Sequence, residues 1–417
     1  MSQPPRSLAG RIVRHGYRVG SAVTFAVPIL LNMIISARLS IAEAALWVTA
    51  LAFAGLSRSI LNSKAMDVVL RFASHVGKEK LTAVLHWALA LEVMFSIVQT
   101  GLLLILIRVS APEVPTPIVW FSIGFMVLTN FRDILYAYIR QRHDQTRYFQ
   151  ALWADAALRL GLLAVLMANF QAFGDHIPAF VLGPMALYPL VLIVACFSKT
   201  EKMARADIRA IFQFSLISQG SSALKASYQN IDVFLAPTFL AGQELWVFLT
   251  SRQLFMQALS MSAMPIINST IPTLVEKFKS ASSPTGFLAW LRKARLRILQ
   301  IAALNLTILW ICGTIWMEMS SIPALEYLPY FAVTSLLGMI RTNLWWNRDI
   351  TYFFDRYFQL RQSLYAGVFV LLIVGVGFLV SSFFVILIGH ASVFAYLSWI
   401  SHRFARSRLM KADGRPR

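Results

Sequence analysis

Long apolar runs separated by short polar connections set the pattern of this chain from end to end. Measured against the roughly 20 apolar residues that a helix needs to cross the hydrocarbon core, they predict about twelve spans. These fall near residues 21–38, 42–62, 82–108, 117–138, 149–170, 177–197, 210–234, 243–265, 296–317, 322–343, 360–380 and 382–402. The run at 210–234 is the most polar, since it carries Gln219, Ser221, Ser222, Lys225, Gln229 and Asn230. Barrel strands would instead show alternating segments of about ten residues. The pattern predicts an all-α integral membrane protein.

Composition agrees. Of 417 residues, 58% are hydrophobic and 14% charged, too few polar groups to cover a soluble domain of this size. The net charge of +19 would suit nucleic acid only if the basic residues formed a solvated patch. They lie in short clusters between apolar runs, so no nucleic-acid partner is expected. All but six of the 38 Lys and Arg residues fall in alternate segments: 1–20, 56–80, 139–148, 198–209, 274–297, 341–361 and 402–417. The intervening loops are short and mainly acidic, with Glu43, Glu113, Asp175, Glu244 and Glu318. Basic loops stay cytoplasmic, which predicts both termini in the cytoplasm. A cleavable signal over the first forty residues is not expected, because the apolar run is long and further spans follow. Cys196 and Cys312 sit inside apolar runs, which leaves a disulfide framework without support.

The spans divide six and six at the basic loop 198–209, predicting an N-terminal six-helix bundle over residues 1–200 and a C-terminal one over 201–417. A local echo accompanies the division: Ala45-Leu46-Trp47-Val48 opens the second span and Glu244-Leu245-Trp246-Val247 the eighth. Two parallel six-span halves are a common transporter plan.

No catalytic signature is present: no phosphate-binding glycine loop, no nucleophile elbow, no His-Glu-x-x-His. The histidines are scattered without ligand spacing, so neither a metal nor a cofactor is expected, and the chain does not read as an enzyme. The informative residues are charges within spans, which normally face a cavity or a partner because of the cost of placing them in lipid. Arg159 has Asp155 one turn before it, a favourable i,i+4 order that predicts mutual neutralisation. Lys225 and Arg252 have no acid within a turn and predict a water-filled cavity selecting anions. Arg58, Arg132 and Arg341 lie nearer the cytoplasmic ends of their spans, where they either snorkel to the interface or form a basic vestibule to that cavity. Glu92 and Asp232 are the acids to consider for ion coupling. Pro28, Pro265 and Pro272 sit in or near spans 1 and 8 and are candidate hinges, since proline removes a helical hydrogen bond.

Several stretches resemble the multidrug/oligosaccharidyl-lipid/polysaccharide (MOP) exporter superfamily, in particular its polysaccharide and O-antigen flippase-like branch. They are Phe214-Ser215-Leu216, the run Gln229-Asn230-Ile231-Asp232-Val233-Phe234-Leu235, Arg252-Gln253-Leu254 and Ile271-Pro272-Thr273-Leu274, with looser likeness at Gly20 to Pro28 and Gly77-Lys78-Glu79-Lys80. The resemblance implies two pseudo-symmetric bundles around a central cavity lined mainly by spans 1, 2, 7 and 8. It implies a flippase of the bacterial inner membrane that moves a polyprenyl-pyrophosphate-linked oligosaccharide by alternating access. Its partners would be that substrate, membrane lipids and the polysaccharide assembly machinery. One departure is that span 1 has no acid, whereas the drug-exporting branch commonly has an acid or cation site in its early spans. Two other readings stay open: a drug or small-molecule antiporter of the same fold, and a membrane enzyme acting on polyprenyl-linked glycans. The enzyme class usually has a large outward loop, and this chain has none.

Overall fold

The computed structural model describes residues 31, 34–35, 39–76, 80–142, 145–169, 176–197, 203–256, 284–319, 324–354 and 356–411. They form helices and short connections, with no strand among them. In chain order the helices are α1 (Ile41–Ile60), α2 (Ala65–Val76), α3 (Leu81–Ser110), α4 (Thr116–Arg142), α5 (Gln145–Ala168), α6 (Ile177–Met185) and α7 (Leu187–Cys196). There follow α8 (Arg205–Gln229) and α9 (Ile231–Phe239), α10 (242–256), and α11 (Pro284–Met319), α12 (Ala324–Phe354), α13 (Arg356–Leu379) and α14 (Phe383–Lys411).

Among the described residues, 8 helical stretches are long and apolar enough to cross a membrane, and each coincides with an expected span. The chain is thus a multi-pass, all-helical membrane protein. The expected spans at 210–234, 243–265 and 322–343 correspond to α8, α10 and α12, which are not among those eight. Most of the first span lies outside the described residues, as do the hinge candidates Pro28, Pro265 and Pro272.

Local chemistry sets the helix ends. Ser40 Oγ accepts the Glu43 N–H at 3.3 Å while the Glu43 carboxylate accepts the Ser40 N–H at 3.1 Å, a reciprocal cap that satisfies two orphan donors of α1. Pro184 lies inside α6, where its missing N–H leaves one rung of the helical ladder unmade, and α7 follows through Ala186, which keeps right-handed helical backbone. Asn230 closes α8, its Nδ2 donating to the Ala226 carbonyl at 2.8 Å. Between α13 and α14 the chain reverses through Ser381 at φ 49°. Two glycines let these helices approach closely. A Cβ at Gly377 would meet Ile386 Cγ1 at 2.3 Å, and one at Gly389 would meet Ile373 Cγ2 at 2.3 Å.

The contacts divide the chain into two compact units, Met1–Phe234 and Leu235–Arg417. In the first, α4 is central and packs against α1, α2, α3, α5, α6 and α7, while α8 lies on α1 and α2. In the second, α14 packs on α12 and α13, and α11 on α12. Its aromatic core includes Phe248 edge-on to Phe383 at 4.9 Å and Phe255 edge-on to Phe331 at 5.3 Å. Each helix of the echo opens on buried residues, with Ala45 and Val48 in α1 and Trp246 and Val247 in α10. Ile301, Leu304, Ile308, Ile311 and Ile315 form an exposed apolar stripe along α11, and α5, α7 and α13 expose similar rows, as helices beside lipid do.

Candidate functional site

The first unit encloses a polar layer built on the connection that follows α1. Helix α1 leaves its last carbonyls without intrahelical partners, and residues 62–64 are not helical. Side chains of neighbouring helices take up those carbonyls. Gln99 Nε2 of α3 donates to Leu61 O at 2.7 Å. From α8, Gln219 Nε2 donates to Ile60 O at 2.5 Å and Ser215 Oγ to Ser63 O at 2.7 Å. Lys64 adopts φ 60°, a left-handed conformation that costs a residue with a Cβ and turns the chain into α2.

Two carboxylates sit in this layer with opposite surroundings. Glu92 of α3, 3% exposed, is held by neutral groups. It accepts from Ser63 Oγ and, at 3.2 Å, from Ser96 Oγ. Asp133 of α4 is held by cations: Arg58 Nη2 of α1 donates to one oxygen, and Arg132 reaches the other at 3.1 Å. Arg58 Nε also donates to Asn130 Oδ1 at 2.6 Å, and Asn130 Nδ2 to Gln99 Oε1 at 2.8 Å. A continuous chain of hydrogen bonds therefore joins α1, α3 and α4. At 1.5 Å of rise per residue, Arg58 lies about 26 Å along α1, in its last turn, and Asn130 about 21 Å along α4, near its middle.

A second cluster lies between α4, α5 and α7. Tyr136 donates its hydroxyl to Asp155 Oδ2 at 2.5 Å, Tyr188 donates to Oδ1, and Arg159 Nη1 stands 3.6 Å from Oδ2. Arg159 is 3% exposed, and its two terminal nitrogens have no hydrogen-bond partner. Among the described residues Asp155 is thus its one close counter-charge, as the i,i+4 spacing predicts.

The remaining expected residues are distributed as follows. Lys225 is half-buried on α8 in the first unit, and Arg252 is half-buried on α10 in the second. Asp232 is fully buried at the start of α9. Arg341 of α12 is buried with its guanidinium 5.9 Å from the Phe394 ring centroid. Arg58 and Arg132 are drawn to Asp133 rather than extended towards an interface. The sequence reading missed Asp133, which adjoins Arg132 in the chain but receives Arg58 from 75 residues away. It also missed the serines and glutamines that hold the α1 connection. In the second unit, Arg295 Nε donates to Asn343 Oδ1 at 2.7 Å, and Asn343 Nδ2 donates to Ser398 Oγ. No group of three or more metal-ligating side chains occurs among the described residues.

No protein-family model and no curated protein matches the chain. Solved structures do. An inward-facing multidrug resistance MATE family transporter of the MOP superfamily aligns over 93% of this chain and 95% of its own, with TM-score 0.64 and 15% identity. An outward-facing MATE family transporter aligns over 97% and 96%, with TM-score 0.58 and 15% identity. A MOP superfamily transporter from Pyrococcus furiosus Vc1, whose reversed binding-pocket polarity suggests a different function, aligns over 95% and 94%, with TM-score 0.60 and 15% identity. The chain therefore has the MATE-type fold of MOP transporters.

Proposed function

We propose that this chain is a transporter that flips an anionic, polyprenyl-pyrophosphate-linked oligosaccharide across the bacterial inner membrane by alternating access, with both termini cytoplasmic. The observation that carries this reading is a MATE-type fold with cations embedded in its helices. Lys225 and Arg252 lie on α8 and α10, which correspond to two of the four spans that the sequence resemblance assigns to the cavity. Arg58, Arg132 and Asp133 form a cluster of two cations on one carboxylate, which carries one excess positive charge. With Arg341 it would form a basic vestibule that draws in an anionic headgroup. Lysine serves as a point charge for phosphate and arginine adds bidentate geometry. The reversed pocket polarity of the Pyrococcus furiosus neighbour supports the idea that this fold can carry binding pockets of more than one polarity. Glu92 and Asp232 are the candidates for ion coupling.

A second reading is a drug or small-molecule antiporter, favoured by the multidrug transporter among the structural neighbours. Proteoliposomes separate the two when loaded with either a fluorescent polyprenyl-pyrophosphate glycan or a cationic dye. Under the primary reading the glycan lipid is flipped, Lys225→Gln and Arg252→Gln abolish most flipping, and Lys225→Arg retains part of it. Dye efflux without glycan flipping, or flipping indifferent to both glutamine substitutions, overturns it.

A further inference from the structure

We infer that Glu92 binds a proton and that its protonation loosens a clamp which holds α8 to the end of α1. This deepens the ion-coupling part of the function proposed above by naming the ion and the element that responds. The clamp has two teeth on one face of α8: Ser215 on the Ser63 carbonyl at 2.7 Å and Gln219 on the Ile60 carbonyl at 2.5 Å. Aromatic contacts accompany them, with Phe212 edge-on to Trp87 at 5.6 Å and Phe214 edge-on to Phe72 at 5.9 Å. Ser63 joins the clamp to the acid, because its carbonyl receives Ser215 while its hydroxyl donates to Glu92 and accepts the Ala65 N–H at 3.1 Å.

The ionised carboxylate accepts both serine hydroxyls. Once protonated, it must donate from one oxygen. If Ser63 becomes the acceptor, its own hydrogen must leave the carboxylate for another acceptor. If Ser96 becomes the acceptor instead, the tie to Ser63 persists as a neutral bond, about half as strong as a charge-assisted one. Either outcome replaces a charge-assisted bond at Ser63 by a weaker neutral one and so loosens the connection. Gln219 also buries its Oε1 without a donor, a cost that the closed clamp bears and that opening to water relieves. A sodium ion is disfavoured by the same geometry. The carbonyls of Ile60, Leu61 and Ser63 each already accept a hydrogen bond, so a sodium ion would have to share them, whereas a proton needs only the carboxylate.

The charged surroundings leave Glu92 as the responsive group. From α1 and α4 it faces a cluster of Arg58, Arg132 and Asp133, two cations on one carboxylate, whose charges do not change between pH 5 and pH 8. On and before α2, Lys64 and Asp67 pair at 3.8 Å. Helix α7 carries no charge, and α8 carries none between Arg209 and Lys225. On α3 itself, His86 is engaged with the Thr82 carbonyl at 2.9 Å.

Hydrogen–deuterium exchange of the full chain in nanodiscs tests the clamp without any substrate, so failure of the glycan reading leaves the result intact. The informative amides are Lys64, bonded to Asn62 Oδ1 at 2.9 Å, and Ala65, bonded to Ser63 Oγ. After correction for intrinsic exchange, protection of residues 61–66 should fall about tenfold from pH 8 to pH 5. Glu92→Gln should be open and pH-independent, Glu92→Asp should keep a pH response, and His86→Gln should keep it unchanged. Ser215→Ala should lower protection at every pH. The inference is overturned by protection that is flat in pH, by a response that survives Glu92→Gln, or by a change driven by sodium at constant pH. If Glu92→Gln does not insert, Glu92→Asp decides, since an unshifted midpoint there excludes Glu92 as the titrating group.

Discussion

Replacing Asp155 by Asn should be among the most destabilising isosteric changes in the first unit. Asp155 and Arg159 are 8% and 3% exposed, and removing one partner of a buried ion pair costs about 3–5 kcal/mol, because it leaves the other charge uncompensated. The two tyrosine hydroxyls would meet a neutral amide in place of a carboxylate, losing about 1 kcal/mol each at most. Most of the loss therefore belongs to the orphaned guanidinium. Removing that charge as well, in Asp155→Asn with Arg159→Met, should restore all but about 1–2 kcal/mol, a coupling of about 2 kcal/mol or more. Unfolding free energies from detergent-denaturant titration of the wild type, both single variants and the double complete the cycle. An Asp155→Asn cost below about 1 kcal/mol, or a double variant less stable than Asp155→Asn alone, would refute the assignment of Asp155 as the charge that keeps Arg159 buried.

Gly389→Ala should destabilise the α13–α14 hairpin by about 1–3 kcal/mol, since the new methyl collides with Ile373. Gly375→Ala, which meets nothing within 4 Å, should be neutral or better, and thermal melts compare the two. Reporter fusions at Ser110 and Ser320 should give a periplasmic signal, and fusions at Ala281 and Ala412 a cytoplasmic one. A cytoplasmic signal at Ser110 would contradict the expected orientation.

The spans were legible because a helix in lipid must satisfy its own backbone and advertises itself as an apolar run. Even α8 could be placed, despite its polarity, from the charge alternation around it. Arg159 and Asp155 were legible for a similar reason: their pairing is local, and helical geometry alone brings i and i+4 together. Asp133 was not. Its significance depends on Arg58, delivered by packing of α1 on α4, which no periodicity encodes. Gln219 marked its run as polar and Ser215 fell in a stretch that resembles the superfamily, yet the partners of Ser63, Gln99, Ser215 and Gln219 were equally hidden, since each is an ordinary polar residue until the end of α1 presents its carbonyls. Pattern reports where a helix meets lipid, whereas the polar interior is written in contacts between helices distant in the chain.

The exposed stripe of α11 has a consequence for how this chain tolerates change. Ile301, Leu304, Ile308, Ile311 and Ile315 face outward, while Ile298, Ala302 and Leu306 of the same helix are buried. Acyl chains are fluid and ask only that a side chain be apolar, whereas a protein neighbour is close-packed and also fixes its volume. A saturation scan of α11 should therefore show two bands winding along the helix out of phase. On the outer band Leu, Val, Phe and Met would replace Ile freely, and only charge would be rejected. On the inner band Ala302→Leu would fail although hydrophobicity rises, so the winding of tolerance would trace the boundary between lipid and protein.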